Sequence, residues 1–335
     1  MKIDVVIGNP PYQRDANENK SNGNNTIYKA AYAEFIDKSL EVSNKIVSMI
    51  VPAKWMTDKQ ASLAQIRHKL KDNGHLKTIV DYKDSLECFE GIRVVGGICY
   101  FNHNYKYTGD CTIKNISMGR EIIATRDIVN NEYIIRDNIG VGILNKVLSK
   151  SVNFMDKYVE SSYFDIKNNN KGTDTKENND DYEILSSGNN TMQIKYIKYD
   201  DIQRNRHVAE EDYKLVIGKM LAGGGDHPVD KNGQMKIVSG IYKAKPGQVF
   251  VSTYIMIIHN KDKNIVYNCE KYIKTRFARF MLYLGMAGLN ISAESFRYVP
   301  LMDFSKEITE SEIYDYFGLS EVEIKFINNF IKEID

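Results

Sequence analysis

Short apolar runs alternate with amphipathic stretches along the first 150 residues. The runs are rich in β-branched residues and predict strands at Ile3 to Ile7, Ile46 to Val51, Leu76 to Asp81 and Val94 to Phe101. Between them, apolar residues recur at helical spacing over about Thr26 to Val42 and Lys59 to Lys71. This alternation is typical of an α/β fold with a mostly parallel sheet covered by helices.

A further stripe, Ile135, Ile139, Ile143 and Val147, predicts a helix over Glu132 to Val147 that closes a first domain at about residue 150. The polar segments Gln13 to Asn25 and 167–181 contain no apolar anchor, so we expect surface loops there, the first of them mobile.

The second half has a different pattern. Runs rich in Tyr, Ile and Val predict strands at Ile194 to Tyr199, Lys214 to Ile217, Met235 to Ile241 and Val249 to Ile258. A helix follows at Glu270 to Gly285, and the last 35 residues read as an acidic helical tail. We therefore expect an α+β domain over 151–300 and a tail over 301–335.

Composition narrows the class of protein. The chain has 335 residues, of which 42% are hydrophobic and 27% charged, as in ordinary globular proteins. The four cysteines contain no CxxC pair and the six histidines no HExxH, so we expect no metal site and a reducing, cytoplasmic setting. No apolar run is long enough to span a membrane or to act as a signal peptide.

Charge is distributed unevenly, although the net formal charge is only +1. Residues 201–300 contain 15 Lys and Arg against 9 Asp and Glu, whereas residues 301–335 contain 3 against 9. A basic segment interleaved with tyrosines is compatible with contacts to a phosphate backbone. Solvated charge on an ordinary surface explains it equally well.

The motif Asn9-Pro10-Pro11-Tyr12 follows directly after the first predicted strand and Gly8. In open α/β sheets, ligands bind beyond the carboxyl ends of strands, which is where this motif falls. The two prolines stiffen the loop and remove two N–H donors, leaving a rigid surface of acceptors. Such a loop suits an exocyclic amino group such as N6 of adenine: Asn9 and the Pro10 carbonyl accept its hydrogens, and Tyr12 stacks on the flipped base. The alternative is a proline-stiffened turn without chemistry.

With this motif, the sequence resembles the N6-adenine DNA methyltransferases of bacterial restriction–modification systems, in the gamma arrangement where the catalytic loop reads Asn-Pro-Pro-Tyr. The likeness extends to the segments 46–56, 86–101, 271–284 and 296–304. The resemblance implies that S-adenosylmethionine is the methyl donor and double-stranded DNA the substrate. It also implies that Phe89 packs on the adenine opposite Tyr12, and that residues 151–300 recognise the target sequence. An ordinary core aromatic is the alternative for Phe89.

One feature departs from the family. Its members bind S-adenosylmethionine upstream of the catalytic loop, through a glycine-rich turn and an acidic residue, but only eight residues precede Asn9 here. The resemblance therefore implies a partial Rossmann-like methyltransferase sheet. The triple glycine Gly223 to Gly225, followed by Asp226-His227-Pro228, does not replace that turn because no helix start follows it. The cofactor-binding residues stay unknown.

The same departure affects the first strand. The resemblance places it at the centre of a sheet, but without upstream strands Ile3 to Ile7 becomes an edge. Its apolar run carries no lysine or proline to protect that edge. We therefore expect the chain either to be poorly soluble alone or to pair through this strand, with a second copy or with a separate cofactor-binding subunit.

Two functions stay open on the sequence alone. The first is a site-specific DNA adenine methyltransferase, or its catalytic-loop and target-recognition part; the second is a non-catalytic DNA-binding or specificity module of a split restriction–modification enzyme. A modification-plus-cleavage enzyme would need a nuclease region, and the short Glu323-Ile324-Lys325 motif fits a solvated helix face better than a nuclease site.

Overall fold

The computed structural model describes residues 2–15, 28–94, 96–117, 119–166, 172–179, 181–188, 191–220, 230, 233–286 and 290–334. The chain divides into two compact units, Met1–Val141 and Gly142–Asp335. Of the predicted segments, most of the loop Gln13 to Asn25 and the whole run Gly223 to Pro228 lie outside the described residues. No helix in the described part is both long and apolar enough to cross a membrane.

The first unit contains eight strands and two complete helices among its described residues. Their order is β1 (Ile3–Gly8), β2 (Gln13–Asp15), β3 (Tyr28–Ala30), α1 (Ala31–Val42), β4 (Ser43–Pro52), α2 (Ala61–Lys71), β5 (Leu76–Tyr82), β6 (Ile98–Asn104), β7 (Cys111–Ser117) and β8 (Arg120–Arg126). A third helix, α3 (Asn138–Lys150), spans the division between the units.

Six of these strands form a sheet in the order β1-β4-β6-β5-β7-β8. The β1–β4 and β5–β7 pairs are parallel, whereas β4–β6, β5–β6 and β7–β8 are antiparallel. The fold is thus mixed α/β, and the expectation of a mostly parallel sheet is wrong. Hydrophobic periodicity reports which face of a strand is buried but not the direction in which the strand runs.

One face of the sheet carries the core of the first unit. Helices α1 and α2 contribute Tyr32, Ile36, Leu63 and Leu70 to a cluster with buried residues from four strands: Val47, Met49, Val51, Ile79, Phe101 and Ile113. In β1 only Val6 packs against this cluster. Because successive side chains of a strand point to opposite faces, Ile3, Val5 and Ile7 lie on the other face, where all three are exposed.

Strand β1 is an edge strand, as expected, since β4 is its only neighbour among the described strands. Ile7 is the most exposed of its apolar side chains, at 76%. A row of unpaired backbone groups beside exposed apolar residues is a template for pairing with another strand.

Several predicted boundaries of the first unit are wrong. Helix α1 begins at Ala31 rather than Thr26, because Tyr28–Ala30 pairs with Gln13–Asp15 as a two-stranded ribbon. Strand β6 begins at Ile98 rather than Val94, after Gly96 and Gly97 turn the chain with positive φ angles of 88° and 78°.

Helix α3 also begins later than predicted, at Asn138 rather than Glu132. The stripe residue Ile135 is buried in the irregular segment before it. The helical spacing of apolar residues continues across this boundary. Spacing alone does not distinguish buried apolar residues in a loop from residues on a helix face.

The second unit is α+β. Its elements are β9 (Glu160–Ser161), β10 (Tyr182–Gly188), β11 (Thr191–Ile197), α4 (Arg206–Glu211), β12 (Tyr213–Gly218), β13 (Ile241–Ala244), β14 (Gln248–Phe250), β15 (Tyr254–Asn260), α5 (Lys263–Lys274), α6 (Arg276–Gly285), α7 (Glu310–Phe317) and α8 (Glu321–Phe330). They form a three-stranded sheet, β11-β10-β14, and a four-stranded sheet, β13-β12-β15-β9.

Three predictions for this unit are wrong in detail. Met235 to Ile241 is mostly irregular, with a strand beginning only at Ile241. The run Val249 to Ile258 is split into β14 and β15, and Thr275 divides the predicted single helix into α5 and α6. Thr275 caps α6 by accepting a hydrogen bond from the Ala278 amide, which starts a new helix rather than continuing the old one.

Candidate active site

The carboxyl ends of three strands meet at one edge of the six-stranded sheet. Strands β1, β4 and β5 run in the same direction, because β1 is parallel to β4 and both β4 and β5 are antiparallel to β6. The loop Asn9 to Tyr12 follows β1, a short 3-10 turn (Ala53–Met56) follows β4, and the segment that carries Phe89 follows β5. The fold thus brings the predicted motif and Phe89 to the same edge.

The four residues of the motif differ in exposure. Asn9 and Pro11 are exposed, Pro10 is buried and Tyr12 is half-buried. Pro10 therefore anchors the loop, while the Asn9 amide has no hydrogen-bond partner within the described part of the chain. An exposed, unengaged amide on a stiff loop is available to a ligand.

Tyr12 points its hydroxyl into the protein. That oxygen is buried and finds no hydrogen-bond partner among the described residues. Burial raises the pKa of the Tyr12 phenol, and the nearby thiols of Cys88 and Cys99 raise it further. Since Cys88 directly precedes Phe89, Tyr12 lies close to the segment that carries Phe89.

The described residues between β5 and β6, 83–94 and 96–97, form the Phe89 segment. It opens with a 3-10 turn over Ser85–Glu87, capped by the Asp84 carboxylate, which accepts a hydrogen bond from the Leu86 amide. The Ser85 hydroxyl donates to the Ile92 carbonyl at 2.9 Å and accepts from the Val94 amide at 2.7 Å. Phe89 is half-buried and is not part of the core cluster.

Two residues behind this segment were not predicted as part of the site. Asp81, the second-last residue of β5, is fully buried and pairs with the Arg136 guanidinium at 2.5 Å. Arg136 also donates to the Gly96 carbonyl at 2.6 Å. A carboxylate inside the apolar run of β5 was the available signal, because an ionised side chain is seldom buried without a partner.

In the second unit, much of the basic charge is engaged in ion pairs. Lys243 and Lys274 both pair with Glu270, and Arg279 is buried against backbone carbonyls. The number of Lys and Arg residues over 201–300 therefore overstates how many cations are available to a ligand.

Two arginines at the start of α4 have weaker ion pairs, although Arg206 Nε also donates to the Ile202 carbonyl at 2.7 Å. Arg204 and Arg206 reach carboxylates only at 3.9 Å, those of Glu160 and Asp200 respectively. The Arg206 guanidinium lies over the Tyr199 ring, 4.3 Å from its centroid. An arginine next to an aromatic ring on a surface is an arrangement that nucleic-acid-binding proteins use.

Glu323 has a structural role. Its carboxylate accepts hydrogen bonds from the amide and hydroxyl of Ser320 at the start of α8, and it pairs with Lys146 at 2.6 Å. These contacts agree with the helix-face interpretation of the Glu323-Ile324-Lys325 motif.

Comparison with known proteins gives matches to methylases of restriction–modification systems. Residues 1–89 match the model of the Eco57I restriction-modification methylase family. An uncharacterised adenine-specific methylase of Mycoplasma pneumoniae is 35% identical over 167 residues, which are 46% of this chain and 39% of that protein. The chain thus spans well under half the length of this curated relative.

Two solved structures show weaker likenesses. The type IIL restriction–modification enzyme MmeI, solved in complex with DNA, is 10% identical over 89% of this chain and 45% of that chain, with a TM-score of 0.42. The M protein of the type I restriction enzyme EcoKI is 20% identical over 34% of this chain and 25% of that chain, with a TM-score of 0.26. The family match and the curated relative by themselves confirm the predicted resemblance of this chain to the adenine-specific methylases of restriction–modification systems.

Proposed function

We propose that this chain supplies the adenine-binding and DNA-recognition part of a site-specific DNA adenine-N6 methyltransferase. The observation that carries the proposal is the position of Asn9 to Tyr12 at the carboxyl edge of the sheet, next to the Phe89 segment and inside the region that matches the methylase family. Double-stranded DNA is the proposed substrate and S-adenosylmethionine the methyl donor.

In this proposal the chain orients the amine. The N6 lone pair of adenine is delocalised into the ring, so the amine is a poor nucleophile. When the Asn9 side-chain oxygen and the Pro10 carbonyl each accept one N6 hydrogen, the nitrogen is drawn toward tetrahedral geometry and its lone pair is freed. Fixed acceptors also stabilise the positive charge that develops on the nitrogen. Pro11 keeps the loop rigid.

Two aromatic side chains hold the base. Tyr12 and Phe89 are both half-buried at this edge, so each offers part of a ring face to a ligand. The target adenine has to leave the duplex stack before its amine reaches Asn9, and stacking on aromatic rings offsets part of the cost of unstacking.

The described residues at this edge do not fit S-adenosylmethionine. No described strand end carries a glycine-rich turn that opens a helix. Gly97 leaves no space for a ligand, because a Cβ there would lie 2.3 Å from the Tyr82 carbonyl oxygen. We therefore assign the methyl donor to another polypeptide segment or subunit, and no residue of this chain to its binding.

We place that other segment alongside β1, on the side of the strand opposite β4. Asn9 follows this strand directly, so a segment paired along β1 would bring its own strand ends next to the catalytic loop. The exposed side chains of Ile3, Val5 and Ile7 would be buried by the pairing. Self-association of two copies through the same strand is the competing use of this edge.

Residues 151–300 are proposed to read the DNA sequence. Support comes from the segment 198–207, where Arg204 and Arg206 are weakly paired and Tyr199 lies beneath Arg206. Contacts from such residues to phosphates position a protein on DNA, and base-edge contacts from neighbouring residues then specify the sequence.

A second function, a non-catalytic DNA-binding or specificity module, is favoured by one observation: no described strand end carries a glycine-rich turn that opens a helix. The test uses radiolabelled S-adenosylmethionine and duplex DNA, with the chain alone and with a cofactor-binding subunit added. Label in N6-methyladenine supports the methyltransferase. DNA binding without any label in the assembled mixture supports the module.

A further inference from the structure

A buried ion pair lies directly behind the Phe89 segment. The Asp81 side chain is fully buried, and its two oxygens accept hydrogen bonds from Nε and Nη2 of Arg136 at 2.5 to 3.1 Å. Such a pair is costly to form, because both charges lose their water, and a hydrophobic pair would often be as stable. Stability alone therefore does not explain why Asp81 and Arg136 form a buried ion pair.

The third guanidinium nitrogen of Arg136, Nη1, contacts the Phe89 segment. Arg136 Nη1 donates to the Gly96 carbonyl at 2.6 Å, where the segment returns to the sheet. The next residue, Gly97, donates from its amide to the Val94 carbonyl, and its own carbonyl accepts from the Ala53 amide at 3.1 Å. The end of the segment is thus tied to Asp81 on one side and to the turn after β4 on the other.

Arg136 is itself held in place from the opposite side. Its carbonyl accepts a hydrogen bond from the Asn115 amide nitrogen at 2.6 Å, and the Asn115 oxygen accepts from the Asn138 amide at 2.9 Å. Asn115 is buried in β7. The backbone of Arg136 is therefore held by β7, independently of the Phe89 segment.

We propose that Asp81 and Arg136 are positioning residues that hold the Phe89 segment closed against Tyr12. For base binding this rests on the proposed function, since a ring can form one wall of an adenine site only if its segment is fixed. Neither residue contacts the base. They act through the Gly96 carbonyl, which fixes the return of the segment, while Ser85 fixes its beginning through Ile92 and Val94.

The alkylation rate of the Cys88 thiol reports whether the Phe89 segment is closed. Cys88 lies on the segment and is half-buried, whereas Cys99 is fully buried in β6 opposite Asp81, and Cys111 and Cys269 are fully buried away from the segment. Alkylation of the native protein with iodoacetamide, followed by peptide mass spectrometry, gives the labelling rate of each thiol. Local opening of the segment raises the rate at Cys88 alone, whereas global unfolding raises all four rates together.

The principal variant is Arg136→Lys, which keeps a positive charge beside Asp81 but loses the planar fork that reaches both Asp81 and Gly96. We expect the Cys88 rate to rise by at least about tenfold, as for the loss of one charge-assisted hydrogen bond, with the other three rates unchanged. The matched control is Arg279→Lys, because Arg279 is a buried arginine of the second unit that donates to the carbonyls of Lys236 and Lys332. It should leave Cys88 as in the parent.

If Arg136→Lys unfolds, all four thiols will react, and the double variant Asp81→Asn with Arg136→Gln replaces it because no unpaired buried charge then remains. Selective labelling of Cys88 in this variant supports the proposal. An unchanged Cys88 rate in a folded variant, or an equal rise with Arg279→Lys, overturns it.

The link to base binding is tested separately, with unmethylated genomic DNA and the assembled enzyme, which is this chain together with the cofactor-binding subunit. Arg136→Lys should lower the turnover of N6 methylation while the affinity for DNA stays that of the parent. Parent-like turnover together with faster Cys88 labelling overturns the role in base binding. If the parent transfers no methyl group, the proposed function fails, and the thiol rates still decide whether Arg136 closes the segment.

Discussion

The buried hydroxyl of Tyr12 lies close enough to the thiol of Cys88 for the two groups to interact electrostatically, although one residue follows β1 and the other follows β5. Their proximity joins the two predicted parts of the adenine site. It also shows that the hydroxyl of Tyr12 faces the protein, so that the ring alone is left for a ligand.

Replacement of Tyr12 by Phe should therefore not lower the free energy of unfolding. The hydroxyl is buried without a partner among the described residues, and removing such a group relieves a desolvation cost of about 1 kcal/mol. We expect the free energy of unfolding in urea to stay the same or rise. The same change at Tyr32, whose hydroxyl is also buried without a partner in the described part, serves as the comparison away from the loop.

Tyr12→Ala removes the ring and should weaken the grip on a flipped base by roughly 1 to 3 kcal/mol, the value of one base–aromatic stack. The measurement is the fluorescence of 2-aminopurine at the target position in DNA bound by the assembled enzyme. Tyr12→Phe should give the parent signal. If Tyr12→Ala gives it as well, Tyr12 does not hold the base.

The edge of β1 predicts association. Ile7→Lys places a charge on the most exposed apolar position of this strand and should shift the purified chain toward monomer in light scattering. Val322→Lys changes an exposed valine on α8 and should leave the distribution of species unchanged. A parent chain that is monomeric at all concentrations would show that the edge recruits no second copy.

The weakly paired arginines predict a particular salt dependence. The logarithm of affinity for duplex DNA should fall with the logarithm of salt concentration by about 0.9 per phosphate contact. Replacing Arg204 and Arg206 by Ala should reduce that slope by about 1.8. The control removes Lys261 and Lys271, which pair with Glu211 and Glu307, and so changes net charge equally. Equal effects of the two double variants would mean that only net charge matters.

Acid should destabilise the first unit through His103. Burial and the neighbouring His75 lower the pKa of His103 from 6.5 to about 4. Because the unfolded state then binds the proton more tightly, this contribution to stability is complete above pH 6.5 and is lost as the pH falls toward 4. Urea unfolding should show a loss of up to about 3 kcal/mol over that range.

His103→Phe keeps an aromatic ring beside Tyr105, whose centroid is 4.7 Å away, and should flatten the pH dependence. His68→Gln, at an exposed position, should leave it as in the parent. An unchanged slope in His103→Phe would assign the acid sensitivity to other groups.

The sequence was sufficient for features that depend on neighbouring residues. Strands β1, β4 and β5 follow from runs of β-branched residues, and the edge position of β1 was also expected. The motif Asn9 to Tyr12 was singled out because two prolines and an asparagine after a strand leave few other roles for the loop, and its catalytic role stays a prediction.

Features that depend on distant residues were missed. Nothing near Asp81 in the sequence indicates that Arg136 is its partner, and the insertion of β6 antiparallel between β4 and β5 is set by sheet assembly rather than by local pattern. Likewise, the ion pairs that engage many cations of the second unit could not be read from its composition.

The most direct test of the account is the rate at which Asn9→Ala methylates N6 of adenine in duplex DNA, measured with the assembled enzyme and compared with its affinity for the same DNA. Because Asn9 is exposed and has no partner among the described residues, the change should not disturb the fold. The account predicts DNA affinity like that of the parent and a rate lower by about 100-fold or more, as for the loss of one fixed transition-state contact. A rate equal to that of the parent would contradict it.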